Sequence, residues 1–390
     1  MSFRFLTAGE SHGRALTGIL EGMPSGLTID AEYIHTQLKR RKLGFGRGAR
    51  QKIETDEIEI LSGVRLGETL GSPISLLIFN KDWSAWKDIM SVSLVTTEVK
   101  RKLEVPRPGH ADLVGGIKYH HSDMRNVLER SSARETTMRV ALASVARRFL
   151  EELGVCIASR VVQIGPGRDL MPLEIPIEEL NARADASPVR CLDLQAEKIM
   201  IEGIEKAKKE GDTLGGVFEV YATGLPIGLG SYAQWDRRVE GEIAKAFMSL
   251  NAIKGVEIGL GFVLGGSLGS QAHDEFIPGL QGQHRVVSKS NRSGGIDGGM
   301  STGQPIVVRA AMKPLSTLMS PLQSVNIKTH EPALAHIERS DVCAVPSAAV
   351  IGESLLALVL AEFILEKFGG DSMHEILPRV QSWRGQSAFE

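Results

Sequence analysis

Residues 135–153, ETTMRVALASVARRFLEEL, indicate a long helix in the protein interior. Met138, Leu142 and Phe149 recur at spacings of four and seven, which places them on one face of a helix. Gly154 follows, and glycine commonly ends helices because it readily adopts the left-handed backbone. We therefore predict a core helix over Glu135–Leu153.

A second apolar run, Ala348–Phe368, ends at Gly369 and predicts another core helix. Periodicity predicts three more helices over residues 30–41, 195–210 and 238–250, and Asp30 is expected to cap the first of them. Strand-like runs occur at Glu57–Leu61, Val155–Ile164, Val217–Ala222 and Pro305–Ala310. Helices and strands do not alternate regularly, so the order does not indicate a repeated βαβ fold.

The composition is that of an ordinary globular protein. Of 390 residues, 42% are hydrophobic and 24% charged, with a formal net charge of −2, which excludes a disordered or fibrous chain. No repeat or low-complexity linker divides the sequence, so we expect one domain over residues 1–390. Three cysteines without CxxC spacing, and an N-terminus without a secretory signal, indicate a cytoplasmic protein. The apolar run Val350–Leu365 contains Glu353 and Glu362, so we predict no membrane span.

Positive charge is concentrated in residues 39–52, KRRKLGFGRGARQK, which carry seven Lys or Arg and no acid. Gly44, Gly46 and Gly48 alternate with Phe45 and Arg47, which indicates a loop that presents guanidinium groups beside backbone amides. Such a loop suits an anion. RNA binding is the alternative, although no aromatic spacing typical of RNA-binding modules accompanies the basic run, and we expect no nucleic-acid partner.

Two histidines lie in loops rich in glycine or arginine. His12 stands between Ser11 and Gly13, and His110 follows Arg107 by three residues. A histidine can exchange a proton at neutral pH, so both are candidate proton carriers; a packed or surface histidine is the alternative for each. The adjacent pair His120–His121 lacks a spaced third ligand, and we expect no metal site.

Residues 130–136, RSSARET, come directly before the helix that starts at Glu135. Ser132 and backbone amides there can bind a phosphate, with Arg130 and Arg134 supplying charge, or Ser132 can simply cap the helix. Neither GxGxxG nor GxxxxGK[ST] occurs, so the common nucleotide-binding folds are not indicated. The residues alone thus indicate an enzyme acting on a phosphorylated, carboxylated small molecule.

Together these segments resemble the chorismate synthase family, from Phe5 to about Lys367. The signatures are GESHG at residues 9–13, EGMP at 21–24, ERSSARET at 129–136, and RSDVC at 339–343 followed by Glu353–Ser354. The stretches RRKLGFGRGARQKIE, PRPGHADLVGGIKY, NAIKGVE and NRSGGIDGGMSTGQPI also resemble the family.

The resemblance implies a lyase that converts 5-enolpyruvylshikimate 3-phosphate to chorismate by anti-1,4-elimination of phosphate, at the end of the shikimate pathway. It implies a requirement for reduced FMN, although substrate and product show no net redox change. It also implies an α+β fold, a β-α-β sandwich with a helical core between antiparallel sheets, and a homotetramer.

Residue by residue, the resemblance implies that His12 protonates the departing phosphate, His110 protonates the reduced flavin, and Asp341 removes the C6 proton together with the flavin. Desolvation of Asp341 would suit it to act as a base. The implied FMN contacts are Ser132, Ala133, Arg134, Asn251, Ala252, Gly298, Lys313, Pro314, Leu315, Ser316, Thr317 and Arg339. The implied substrate contacts are Arg41, Arg47, Arg50, Arg107 and Arg134, of which Arg41 and Arg47 also match positions assigned to NADP(H).

Two questions stay open at this stage. NADPH is a possible reductant of the flavin; the alternative, which we favour, is an external flavin reductase. The alternative to the family reaction is a different phosphate-handling lyase or transferase that uses the same arginine loops without flavin.

Overall fold

Two antiparallel sheets enclose a layer of helices in the computed structural model, which describes residues 3–48, 53–95, 100–279, 286–338 and 340–385. The helices are α1 (Ala31–Lys42), α2 (Asp112–Tyr119), α3 (Arg125–Ser131), α4 (Thr136–Glu152), α5 (Ile177–Ala186), α6 (Leu194–Glu210), α7 (Val239–Met248), α8 (Gly269–Ala272), α9 (Val345–Phe368) and α10 (Met373–Gly385). Short 3₁₀ helices cover Lys81–Ala85, Ala133–Glu135, Trp235–Arg237 and Gly261–Gly266.

The first sheet has the order β1-β2-β6-β3 and the second the order β10-β15-β9-β7-β8, and the remaining strands form two-stranded pairs. The strands are β1 (Arg4–Ala8), β2 (Ala15–Glu21), β3 (Ile58–Ser62), β4 (Val64–Arg65), β5 (Glu68–Thr69), β6 (Ile74–Phe79), β7 (Cys156–Ile164), β8 (Gly167–Arg168), β9 (Gly216–Thr223), β10 (Ile253–Ile258), β11 (Phe276–Pro278), β12 (Val286–Ser288), β13 (Ile296–Asp297), β14 (Met300–Ser301), β15 (Ile306–Met312), β16 (Gln323–Val325) and β17 (Pro332–Leu334).

The two long helices predicted from the sequence form the middle layer. Helix α4 packs against β2 and β6 of the first sheet, α9 packs against β7 and β9 of the second, and the two helices pack against each other. This arrangement confirms the α+β class and the helical layer between antiparallel sheets. Helix α9 is apolar enough to cross a membrane, with a mean hydropathy of 2.1, but 89% of its most apolar window is buried in the protein.

A glycine allows each helix to approach its sheet closely. A Cβ at Gly18 of β2 would lie 2.7 Å from Met138 of α4, and one at Gly352 of α9 would lie 2.8 Å from Phe218 of β9. Both distances are shorter than van der Waals contact permits, so any larger side chain would separate the layers. One hydrophobic core consequently runs from Leu16 in the first sheet to Val380 in α10.

The core also contains a buried ionic network centred on Glu353 of α9. Its carboxylate has no exposed surface and accepts hydrogen bonds from Arg40 at 2.8 and 3.0 Å, Arg147 at 2.5 Å and Ser159 at 2.6 Å. Burial alone would raise the pKa of Glu353, but the arginines outweigh it and hold the pKa far below the usual value. The network therefore ties α1, α4, β7 and α9 together through one charged side chain.

The predicted elements agree closely with the observed ones. Asp30 caps α1 by accepting a hydrogen bond from the Tyr33 amide at 2.8 Å, as the sequence predicted. The four predicted strands correspond to β3, β7, β9 and β15. Helix α9 begins at Val345, three residues before the predicted start, because Pro346 is accommodated in the first helical turn, where no amide hydrogen is required.

Candidate active site

A cavity of about 530 Å³ lies where the N-terminal ends of α4 and α9 meet the C-terminal end of α1. Nearly all the site residues implied by the family resemblance line it. They are His12, Arg41, Arg47, Arg107, His110, Ser132, Ala133, Arg134, Asn251, Ala252, Lys313, Pro314, Leu315, Ser316, Thr317 and Asp341.

Three implied residues are not placed in this cavity. Gly298 lies in the turn between β13 and β14 and does not line the cavity in the single chain. Arg50 and Arg339 lie outside the described residues. Arg130 also turns away, because its guanidinium donates to the carbonyl oxygens of Thr7 at 2.8 Å and Gly9 at 3.0 Å.

His12 sits in the loop between β1 and β2 and is only 7% exposed. Its Nδ1 lies 2.9 and 3.0 Å from the two carboxylate oxygens of Glu129, and its backbone amide donates to the same carboxylate at 2.7 Å. The Trp86 ring stacks on the imidazole, with ring centroids 3.8 Å apart. Sequence reasoning identified His12 but assigned no role to Glu129, which stands inside a signature motif, or to Trp86, which carries no motif.

His110 is held in the loop before α2. Its Nδ1 lies 2.5 Å from Asp112, which is fully buried and also accepts hydrogen bonds from Arg107 at 2.8 and 3.0 Å. Burial would raise the pKa of Asp112, but the bonds from His110 and Arg107 hold it well below the usual value. From the sequence, Arg107 was the charged group expected beside His110. The structure shows that the Asp112 carboxylate also lies beside it.

Arg134 is held by acidic partners that the sequence did not indicate. It forms ion pairs with Asp56 and, at 3.3 Å, with Glu54, and it donates to Asn80 at 3.0 Å. Its own backbone amide donates to Ser132 Oγ at 3.3 Å, so Ser132 caps the short 3₁₀ helix while it lines the cavity. Ser132 therefore caps the 3₁₀ helix that precedes α4, and phosphate binding at this residue stays a prediction.

Arg41 is a buried cation with unused hydrogen-bonding capacity. It is 4% exposed, and its Nη1 has no hydrogen-bond partner among the described residues; Asp56 Oδ2 is 3.9 Å away, within ion-pair range but beyond a hydrogen bond. Burial lowers the pKa of Arg41 to about 10, and the charges of Arg134 and Arg47 act in the same direction. Arg41 remains cationic at neutral pH, and a buried N–H without a partner favours an anionic ligand.

Asp341 is held against the glycine-rich loop. Its Oδ2 lies 2.8 Å from Arg47 Nη1, and its Oδ1 accepts from the Gly48 amide at 2.5 Å. The side chain is 17% exposed, so the desolvation expected from the sequence is incomplete. Gly48 allows this packing, because a Cβ there would lie 3.0 Å from the Ser340 carbonyl oxygen and 3.1 Å from Asp341 Oδ1.

Two further loops close the cavity and are joined to each other. Lys313 donates to the Gly109 carbonyl at 2.6 Å, and Arg107 donates to Thr317 Oγ1 at 2.7 Å. Asn251 donates to the Ser131 carbonyl at 2.9 Å, which connects the segment before β10 to the end of α3. Segments more than 200 residues apart thus form one wall.

Fold and cavity together define an enzyme that acts on a small molecule carrying several negative charges. Among the described lining residues, the side chains of Arg41, Arg47, Arg107, Arg134, Lys254 and Lys313 outnumber those of Glu54, Glu338 and Asp341. The two histidines, each with a buried carboxylate at Nδ1, provide acid–base groups beside these cations.

Comparison with known proteins assigns the family. The chorismate synthase family model matches residues 3–365. The chorismate synthase of Desulforamulus reducens is 54% identical over 381 residues, covering 98% of both chains, and that of Desulforudis audaxviator is 56% identical over 375 residues, covering 96% of this chain and 95% of the relative. A crystal structure of chorismate synthase superposes with a TM-score of 0.79 at 42% identity, covering 99% of this chain and 98% of the other.

The chain belongs to the chorismate synthase family, which comprises carbon–oxygen lyases of the shikimate pathway of aromatic amino-acid biosynthesis. The resemblance found in the sequence motifs is thereby confirmed.

Proposed function

We propose that the protein converts 5-enolpyruvylshikimate 3-phosphate to chorismate by anti-1,4-elimination of phosphate, with reduced FMN as cofactor. The observation that carries this proposal is that one cavity contains both a set of arginines and two histidines, each of which contacts a carboxylate through Nδ1. A substrate with one phosphate and two carboxylate groups needs several fixed cations, and guanidinium groups pair with such anions in a bidentate manner.

The cavity residues fit a flavin mononucleotide. Ser132 and the amides at the start of α4 suit the phosphate group of the cofactor. The loop at residues 313–317 and the Asn251–Ala252 segment would hold the remainder of the cofactor. When bound, reduced FMN would supply electron density that assists cleavage of the C–O bond.

The protein's own groups would handle the protons. We assign to His12 the transfer of a proton to the departing phosphate, because its ring lies in the cavity and Glu129 holds its Nδ1. We assign to Asp341 the removal of the C6 proton, because its carboxylate lies in the cavity and is held there by Arg47 and the Gly48 amide. His110 would keep the reduced cofactor protonated, and Arg107 beside it would contact the substrate.

We propose that the flavin is reduced by an external flavin reductase rather than by NADPH on this protein. Arg41 and Arg47, which match NADP(H) positions, line the same cavity as the implied substrate contacts. A dinucleotide bound through them would compete with the substrate for the same cations, which supports delivery of a flavin that is already reduced.

We also propose a cytoplasmic homotetramer of single-domain chains. The outer face of the first sheet exposes apolar residues, with Leu6 72% and Ile19 45% exposed on paired strands and Phe79 44% exposed on the next. An apolar patch of this kind favours contact with a second copy. Analytical ultracentrifugation tests the tetramer, and a species with the mass of one chain would exclude it.

The proposed compartment rests on the cysteines. Cys156, Cys191 and Cys343 are all free thiols, which suits a reducing compartment.

The experiment for the reaction is an anaerobic assay with 5-enolpyruvylshikimate 3-phosphate and photoreduced FMN, followed by the ultraviolet absorbance of chorismate. A parallel assay contains NADPH and oxidised FMN. Product in the first assay alone supports the proposal in full, and product in both contradicts the external reductase. Absence of product from both would exclude the reaction, and a phosphate-handling enzyme without flavin would then be indicated if the protein bound substrate but no FMN.

Substituting Arg41 by methionine should weaken binding of 5-enolpyruvylshikimate 3-phosphate by about 10- to 100-fold, because a charge-assisted hydrogen bond contributes about 1.5–3 kcal/mol. Isothermal titration calorimetry measures this. Lys39→Met is the matched control, since Lys39 lies on the same helix with its side chain 60% exposed and pairs only with Glu32 at the surface. Equal affinities of the two variants would show that Arg41 does not bind the anion.

A further inference from the structure

The loop that carries His12 is hydrogen-bonded to the C-terminal end of α3. The Glu129 carbonyl accepts a hydrogen bond from the Ser11 amide at 2.8 Å, and the next residue, Arg130, donates to the carbonyl oxygens of Thr7 and Gly9. These bonds hold the main chain on both sides of the loop. The position of His12 in the cavity is therefore set by α3 as well as by its own strand.

The Glu129 side chain then fixes the orientation of the imidazole. It is 2% exposed and binds both the backbone amide and Nδ1 of His12. An ionised carboxylate only accepts hydrogen bonds, so Nδ1 must carry a hydrogen and Nε2, on the opposite edge of the ring, is the nitrogen that exchanges a proton. Burial would raise the pKa of Glu129, but the bonds from His12 and the charge of Arg125 keep it below the usual value.

The groups around His12 carry opposite charges. Glu129 lies at Nδ1, and the Trp86 indole stacks on the ring. Arg125 approaches both, because its Nη1 lies 3.3 Å from Glu129 Oε1 and its guanidinium carbon is 5.3 Å from the Trp86 centroid. Arg125 also pairs with Glu338 at 2.8 Å, and Arg101 stacks on the same indole at 4.5 Å. Substitution of Glu129 or of Arg125 therefore changes the charge beside His12 in opposite directions.

We infer that Glu129 is a positioning residue that fixes the His12 ring with a hydrogen on Nδ1, so that Nε2 is the nitrogen that gives the proton to the leaving group, and that Arg125 opposes the charge of Glu129 at the ring. The inference rests on the proposed function, because it assigns His12 the role of proton donor. It adds a carboxylate–histidine pair and an opposing arginine that set the working pH range of the donor. A purely structural Glu129 would support the loop without affecting the titration of His12.

The test is the pH dependence of kcat for Glu129→Gln and Arg125→Gln. Activity of a protonated donor falls as the pH rises through its titration. Glu129→Gln removes negative charge and should move this fall to lower pH by about one unit, with kcat at neutral pH reduced about tenfold and KM changed less than threefold. Arg125→Gln removes positive charge and should move the fall to higher pH. Glu219→Gln is the matched control and should leave the profile unchanged, because Glu219 is a buried glutamate of β9 that pairs with Arg160 at 2.9 Å and does not line the cavity.

A second measurement separates this inference from the proposed function. The ring of His12 can be titrated by NMR in substrate-free protein labelled at histidine Cε1, with the His12 signal identified by its loss in His12→Ala. Opposite displacements of this titration in the two variants support the positioning role even if the elimination assay gives no product, which would contradict only the function. Superimposable titrations and pH profiles in wild type, Glu129→Gln and Arg125→Gln would overturn the inference.

Discussion

Replacing His12 by alanine should lower kcat by about 10²- to 10⁴-fold, the usual contribution of a positioned general acid. Phosphate is a poor leaving group when it departs fully charged, and His12 lies in the same cavity as the arginines that would hold it. The measurement is the anaerobic steady-state assay with reduced FMN, accompanied by calorimetric titration of the substrate. Because the ring is small and lies in the cavity, we expect substrate affinity to change far less than turnover.

His374→Ala is the control for this substitution. His374 is exposed on α10 and does not line the cavity, so its removal should leave kcat unchanged. Circular dichroism spectra that match wild type would show that neither variant has lost its fold. A His12→Ala enzyme with near wild-type kcat would remove His12 from the mechanism and leave His110 as the histidine to examine.

Replacing Glu353 by alanine should lower the free energy of unfolding by about 3–5 kcal/mol, because it leaves buried arginines without their shared counter-ion. The contacts of Glu353 with Arg40 and Arg147 lie in the centre of the helical layer, where water cannot replace the lost carboxylate. Urea unfolding followed by circular dichroism measures the change. The stabilising effect should be fully present above the unfolded-state pKa of a glutamate, about 4.3, and should decline as the pH falls towards the depressed folded-state value.

Glu366→Ala is the matched control on the same helix. Glu366 is 50% exposed and lies 3.8 Å from Arg237, so its loss should cost no more than about 1 kcal/mol. Unfolding of Glu353→Ala and Glu366→Ala at the same urea concentration would mean that the buried network contributes no net stability and that hydrophobic packing alone determines it.

Local sequence patterns were sufficient for the main elements. The apolar stripe of α4 and the Asp30 cap of α1 are encoded by residues within a few positions of each other, so periodicity and capping rules predicted them. The pairing of strands was not predictable in this way, because β9 pairs with β7 and β15 at sequence separations that no local pattern reports. The sandwich architecture came instead from the resemblance to a known family.

The candidate site could likewise be predicted from the sequence only in part. Histidines and arginines in glycine-rich loops were recognisable because they are unusual in a plain core. Their partners Glu54, Asp56 and Trp86 were not recognisable, because no motif marks them and they are distant in sequence. Trp86 stacks on His12 from 74 residues away, and Asp56 and Glu54 pair with Arg134 from 78 and 80 residues away. Asp112, two residues from His110, was the one partner that local reasoning had within reach.

Arg40 and Arg41 are neighbours on α1, and they point in opposite directions. Arg40 enters the Glu353 network, and Arg41 offers its free N–H to the cavity. Two adjacent residues therefore connect the ionic network of the core with the ligand-binding cavity. A ligand held by Arg41 therefore binds the same helix that the Glu353 network fixes in the core, and a tightly bound ligand should raise the melting temperature of the whole protein.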